Sequence, residues 1–126
     1  MLAIDSTTRT AYDAASGASN KAQVVVDALG ATVAVKIYDG GGNEKASGTM
    51  GSPWATQANG VISIGEVTSM AITAAGTPDA NWYLRFEGNS RWLRGSFGLR
   101  SSAQDFVARG DAWVNGFTIT LGTVQI

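Results

Sequence analysis

Four carboxylates late in the chain, Asp79, Glu87, Asp105 and Asp111, are the side chains that could do acid–base work. Glycoside hydrolysis asks for two such groups about 5 to 9.5 Å apart across a cleft. Nothing in their spacing pairs them, and solvated or turn-capping carboxylates are the commoner use of such residues. The serines have no activating partner, because the chain contains no histidine and no Gly-x-Ser-x-Gly elbow. With no cysteine either, thiolate nucleophiles, thiolate metal sites and disulfides are excluded, and the commonest general base and metal ligand is missing. No catalytic residue, metal ligand or cofactor is therefore assigned. The run Asp39-Gly40-Gly41-Gly42-Asn43-Glu44 has oxygen ligands and a flexible backbone, but lacks EF-hand spacing and the Lys-Ser or Lys-Thr of a P-loop. It reads as a turn.

Binding chemistry is better represented. Trp54, Trp82, Trp92 and Trp113 with Tyr83 could stack on sugar rings, although at least half of these tryptophans are expected in a core. Arg85, Arg91, Arg94, Arg100 and Arg109 could touch phosphates, yet the formal net charge is -1 and no basic residues run together. Nucleic acid is not the expected partner. Residues 1–80 hold 4 Lys or Arg against 7 Asp or Glu, and residues 81–126 hold 5 Arg against 3 acids. The resulting imbalance, -3 against +2, suits orientation of like subunits or contact with an acidic partner.

The elements that must carry these residues follow from periodicity. The 126 residues suit one domain with a modest core, and 15% charged residues with 16 glycines suit short strands and many turns. Residues 1–30 form an alanine-rich helix or extended arm. Ala11, Ala14, Ala15, Ala18, Ala22, Val25, Val26 and Leu29 fall near a 3.6-residue period, with Ser6 or Thr7 as cap and Gly30 at the C′ position. Residues 31–126 form the β domain. Val33, Val35 and Ile37 alternate with Ala34, Lys36 and Tyr38, and further strands are expected around 61–64, 67–74 and from Trp113 to Ile126.

The clearest unit is a hairpin over 81–98 turning at Gly88-Asn89. Pairing Phe86 with Arg91 places Trp82, Leu84, Phe86, Leu93 and Phe97 on a core face, and Tyr83, Arg85, Trp92 and Arg94 on the other. The second set has the composition of an interface centre. The fold expected is mainly β, an antiparallel β-sandwich or jelly-roll-like barrel. The first ten residues lack a basic leader and apolar stretch, and no run reaches the length of a membrane span, so a product made in a cytoplasm, with no membrane partner, is expected. Both chain ends are expected to be pinned by neighbours.

The order of the pieces adds a resemblance. Val35-Lys36-Ile37-Tyr38-Asp39-Gly40, Gly51-Ser52-Pro53-Trp54-Ala55 leading to Gly60-Val61, Asn81-Trp82-Tyr83-Leu84-Arg85-Phe86, Leu93-Arg94-Gly95-Ser96-Phe97-Gly98 and Phe117-Thr118-Ile119-Thr120 resemble the motifs of small β-rich virion proteins of tailed bacteriophages. The chain departs from them at Trp54, where Phe is usual, and at Trp92-Leu93-Arg94, where a smaller and more acidic stretch is usual. The resemblance implies a non-enzymatic capsid decoration or minor capsid protein in the virion. Implied partners are its own copies, with a trimer favoured, and the major capsid protein or other virion proteins. The alternatives are a neck, tail or fibre-base component and a carbohydrate- or receptor-binding module.

Overall fold

The computed structural model describes residues 3–64, 67–77, 79–95, 111–114 and 117–120, with the backbone alone for 67–69, 111–114 and 117–120. A short strand β1 (Ala3–Ile4) is followed by helices α1 (Ser6–Ala14) and α2 (Ala18–Ala28). Then come β2 (Ala34–Tyr38), β3 (Glu44–Thr49), β4 (Ala55–Ala58), β5 (Val61–Ile64), β6 (Val67–Ile72), β7 (Tyr83–Gly88), β8 (Arg91–Gly95), β9 (Asp111–Val114) and β10 (Phe117–Thr120). Among the described residues they build a seven-stranded sheet in the order β1-β8-β7-β2-β3-β6-β9 and a three-stranded sheet in the order β10-β5-β4. Every pairing is antiparallel. The protein is mainly β, an open sandwich-like arrangement and not a closed barrel.

One core joins the layers. Val35, Ile37, Leu84, Phe86 and Leu93 from the large sheet meet Ile62 and Ile64 from the small one and Ala22, Val25, Val26 and Leu29 from α2. The Trp54 and Phe86 rings touch at 5.4 Å between centroids, linking the two sheets. Trp54 and Trp82 are both buried, as expected of half the tryptophans. The Trp54 indole Nε1–H also donates to the Val26 carbonyl at 3.0 Å. That carbonyl needs a partner because the Gly30 N–H, which a continuing helix would give it, goes to Asp27 O instead.

The amino-terminal segment differs from its sequence reading in three ways. It is two helices, broken at Gly17, whose φ of 84° lies in the left-handed region that a helix cannot contain. Only Ala22, Val25, Val26 and Leu29 of the expected stripe are buried, whereas Ala11, Ala14 and Ala18 face solvent because methyl groups alone gain little by burial. The cap is Asp5, ahead of the expected Ser6 or Thr7, and its carboxylate accepts from the Thr8 N–H at 2.8 Å. Gly30 does sit at the helix end with φ 78°.

The hairpin is shifted relative to expectation. Phe86 pairs with Leu93 and Gly88 with Arg91, so the two-residue turn is Asn89-Ser90 and not Gly88-Asn89. Both turn residues have positive φ, 52° and 59°, the conformation of a type I′ turn that matches strand twist. Gly88 is needed in the strand, since a Cβ there would collide with the Leu29 carbonyl oxygen. Moving the turn by one residue changes each pairing by two, so the faces survive and the cross-strand neighbours change. Strands β3 and β4 lie where only loop was expected. Phe97, residues 121–126 and the initial Met1 and Leu2 lie outside the described residues, and the expected core role of Phe97 and pinning of the chain ends lie outside them too.

Candidate functional site

One face of the large sheet carries the core; the outward side chains of β8, β7, β2 and β3 form the other. Alternation places them there. Leu84, Phe86, Leu93, Val35 and Ile37 are buried, so Tyr83, Arg85, Glu87, Trp92, Arg94, Lys36 and Tyr38 must project oppositely. The four residues expected to form an interface are thus together on one face. Tyr83, Arg85 and Trp92 are half-buried and Arg94 is exposed.

Register decides which of them meet. Arg85 stands opposite Arg94 on β8 and Lys36 on β2, so three cations run in a row across adjacent strands. The expected register would have put Trp92 opposite Arg85. Like charges directly opposite repel, and the surrounding groups offset this repulsion. The Arg85 guanidinium lies 5.1 Å from the Trp92 ring centroid, and that of Arg94 lies 5.0 Å from Trp92 and 5.5 Å from Tyr83. Tyr83 in turn stacks on Tyr38 at 5.3 Å with an interplanar angle of 17°.

Two carboxylates neutralise the β2 side of the row. Glu87 Oε1 lies 2.7 Å from Arg85 Nε, an ion pair without the angle of an aligned hydrogen bond, and Glu87 Oε2 lies 3.4 Å from Lys36 Nζ. Glu44 makes a second contact to Lys36 at 3.4 Å. The Tyr38 hydroxyl donates to Glu87 Oε1 at 3.1 Å. Glu87 before all, with Tyr38 and Glu44 adding to it, holds the Lys36 pKa above its ordinary value; burial raises that of Tyr38, with Glu87 adding to it. Lys36, Tyr38, Glu44 and Glu87 were missed as members of this cluster. The alternation of Lys36 and Tyr38 was visible, but the pairing of β2 with β7 joins residues about fifty positions apart.

An open recess of about 300 Å³ lies beside the row, lined by Lys36, Arg85, Glu87, Ser90, Arg91 and Trp92 among others. Arg91 points to the opposite face, where its Nη1–H donates to Thr8 Oγ1 at 3.4 Å. Behind Trp92, the Asp5 carboxylate accepts from the Trp92 N–H at 2.9 Å and from Thr8 Oγ1–H at 2.6 Å, while the Asp5 N–H donates to Trp92 O at 3.2 Å. This buried acid ties α1 to the strand that carries Trp92 and Arg94. Burial alone would raise its pKa; the hydrogen bonds from Thr8 and Trp92 outweigh burial and lower it.

The remaining candidates have structural roles. Asp39 Oδ1 accepts from the Gly41 and Asn43 N–H groups at 2.9 Å each, which makes the glycine run a closed turn; the Asn43 N–H leads the contacts that lower its pKa. Asp79 caps a turn through the Asn81 N–H at 2.8 Å. Asp105, Arg100 and Arg109 lie outside the described residues, as do the side chains of Asp111 and Trp113. Among the described residues no cluster of acids is placed to hold a metal ion, and no helix is long and apolar enough to cross a membrane. Compared with protein-family models, curated proteins and solved structures, the chain matches none of them.

Proposed function

We propose that this chain is a non-enzymatic assembly protein of a tailed-phage particle, a decoration or minor capsid protein that clamps neighbouring shell subunits. The observation that supports an assembly role is the outward sheet face, where Tyr83, Arg85, Trp92 and Arg94 gather with Tyr38 and Lys36. Aromatic residues and arginine are the residues that dominate protein contacts. The virion assignment rests on the sequence resemblance. A standard interface removes about 800 Å² per partner from water, and repetition by symmetry multiplies the effect of each contact. Its partners in this reading are its own copies, as a trimer, and the major capsid protein.

The sugar-binding alternative is the weaker reading on the geometry. A sugar platform needs free ring faces in an open groove. Here Trp54 and Trp82 are in the core, Tyr38 and Tyr83 stack on each other, and Trp92 is engaged by two guanidiniums. A neck or tail location stays open to the same experiment. The mass of the purified protein is measured in solution, and its co-sedimentation with empty shells of its phage that lack it follows. A symmetric oligomer binding at saturating stoichiometry supports decoration. A monomer that ignores shells refutes it.

A further inference from the structure

The row Lys36, Arg85, Arg94 is neutralised at one end only. Glu44 and Glu87 contact Lys36, and Glu87 contacts Arg85. Among the described residues no carboxylate lies within ion-pair distance of Arg94. Arg94 is nevertheless exposed, directly opposite another arginine, and held over two rings. A guanidinium fixed in this way gives up little freedom on meeting an anion, and its planar fork suits a carboxylate. A bridging anion would also relieve the repulsion between Arg85 and Arg94.

We infer that the Arg94 end of this face docks an acidic segment of the protein that covers it, with a carboxylate of that segment received between Arg94 and Arg85. This rests on the assembly reading above and specifies the chemistry of the partner. A nucleic-acid strand fits less well. Its phosphates need a continuous basic track, and Glu44 and Glu87 interrupt the face on the β2 and β3 side. Its bases need free rings, and the Trp92 ring already faces Arg85 and Arg94.

The test is fluorescence anisotropy of a short labelled polyglutamate peptide, with polyglutamine and an oligothymidylate of similar length as comparisons, at low and high salt. Wild-type protein is expected to bind polyglutamate and not polyglutamine. Arg94→Gln should weaken binding about tenfold or more, the loss of one charge-assisted contact, and Arg94→Lys should fall between. Arg9→Gln, which removes a cation from exposed α1, should leave binding unchanged. Circular dichroism checks that the variants fold.

Four results overturn the inference: no polyglutamate binding, equal losses in Arg9→Gln and Arg94→Gln, tighter binding of the oligothymidylate, or an oligomer that Arg94→Gln splits without polyglutamate binding, which makes a second copy the occupant. Shell co-sedimentation separates the two readings. Protein that pellets with shells but ignores polyglutamate keeps the assembly role and loses the acidic partner; protein that binds polyglutamate through Arg94 but never pellets with shells keeps the acidic site and loses the decoration role.

Discussion

Replacing Asp5 by alanine removes one carboxylate that serves three donors. It accepts from the Thr8 N–H at 2.8 Å, the Thr8 hydroxyl at 2.6 Å and the Trp92 N–H at 2.9 Å, while the residue is only 8% exposed. Loss of a helix cap costs about 1 kcal/mol. Leaving the Thr8 hydroxyl and the Trp92 N–H without their acceptor adds about 1 kcal/mol each at the low end of the range for buried donors. The sum is roughly 3 kcal/mol, or a fall of about 10 °C in Tm for a chain of this size. Urea unfolding at neutral pH, followed by circular dichroism, measures it, and Asp5→Asn divides it. Asparagine still caps α1 through Oδ1, but its amide nitrogen takes the place of Oδ2, which accepts from both the Thr8 hydroxyl and the Trp92 N–H, so about two thirds of the loss is expected. A D5A variant within about 0.5 kcal/mol of wild type would refute the assignment. The pH dependence is an independent check. The folded carboxylate has a pKa below the ordinary 3.8, so its contribution is complete above that value and disappears as pH falls through the lower folded value. The gap between wild type and D5N should therefore close in acid and not in base.

Three further outcomes are expected. Trp92→Ala combined with Arg94→Ala should leave the far-ultraviolet circular dichroism unchanged while reducing incorporation into particles at least tenfold; unchanged incorporation would exclude this face as the contact. Ser90→Gly should stabilise the protein by about 0.5–1 kcal/mol in urea unfolding, because Ser90 holds φ 59° in the hairpin turn and glycine adopts that conformation without steric cost; a neutral or destabilising result would contradict the turn geometry. Trp54→Phe should cost about 1–2 kcal/mol by the same measurement, since the ring remains apolar but the Val26 carbonyl at the end of α2 loses its donor; no loss would mean that water replaces the indole.

The cation–aromatic face has a consequence for stability as well as for contact. Arg85 and Arg94 lie opposite each other at a position where a neutral pair would be quieter, and among the described residues Glu87 and the rings of Tyr83 and Trp92 restrain them. Sheets hold such pairs at a cost. Among the described residues no apolar side chain of the core cluster covers this face, whereas on the opposite face Val35, Ile37, Leu84, Phe86 and Leu93 are shut into the core.

The sequence by itself determined the faces. Alternation in β2, β7 and β8 separates Val35, Ile37, Leu84, Phe86 and Leu93 from Lys36, Tyr83, Arg85, Trp92 and Arg94, and a turn displaced by one residue cannot exchange them, because register then moves by two. It also marked the Asp39 turn and the glycine at the end of α2, where local chemistry suffices. Asn59-Gly60, a two-residue hairpin turn with both φ positive, was an equally local signal for the β4–β5 pair that the glycine-rich surroundings obscured. Strand β3 had no such signal. Glu44–Thr49 supplies one fully buried side chain, Ala46, and the segment is extended because β2 and β6 take its backbone hydrogen bonds from either side. Tertiary structure alone decided that Asp5 would reach Trp92, that β2 would lie beside β7, and that Lys36, Arg85 and Arg94 would fall in one row. Each depends on contacts between residues far apart in the chain, which periodicity, a property of neighbours, does not encode.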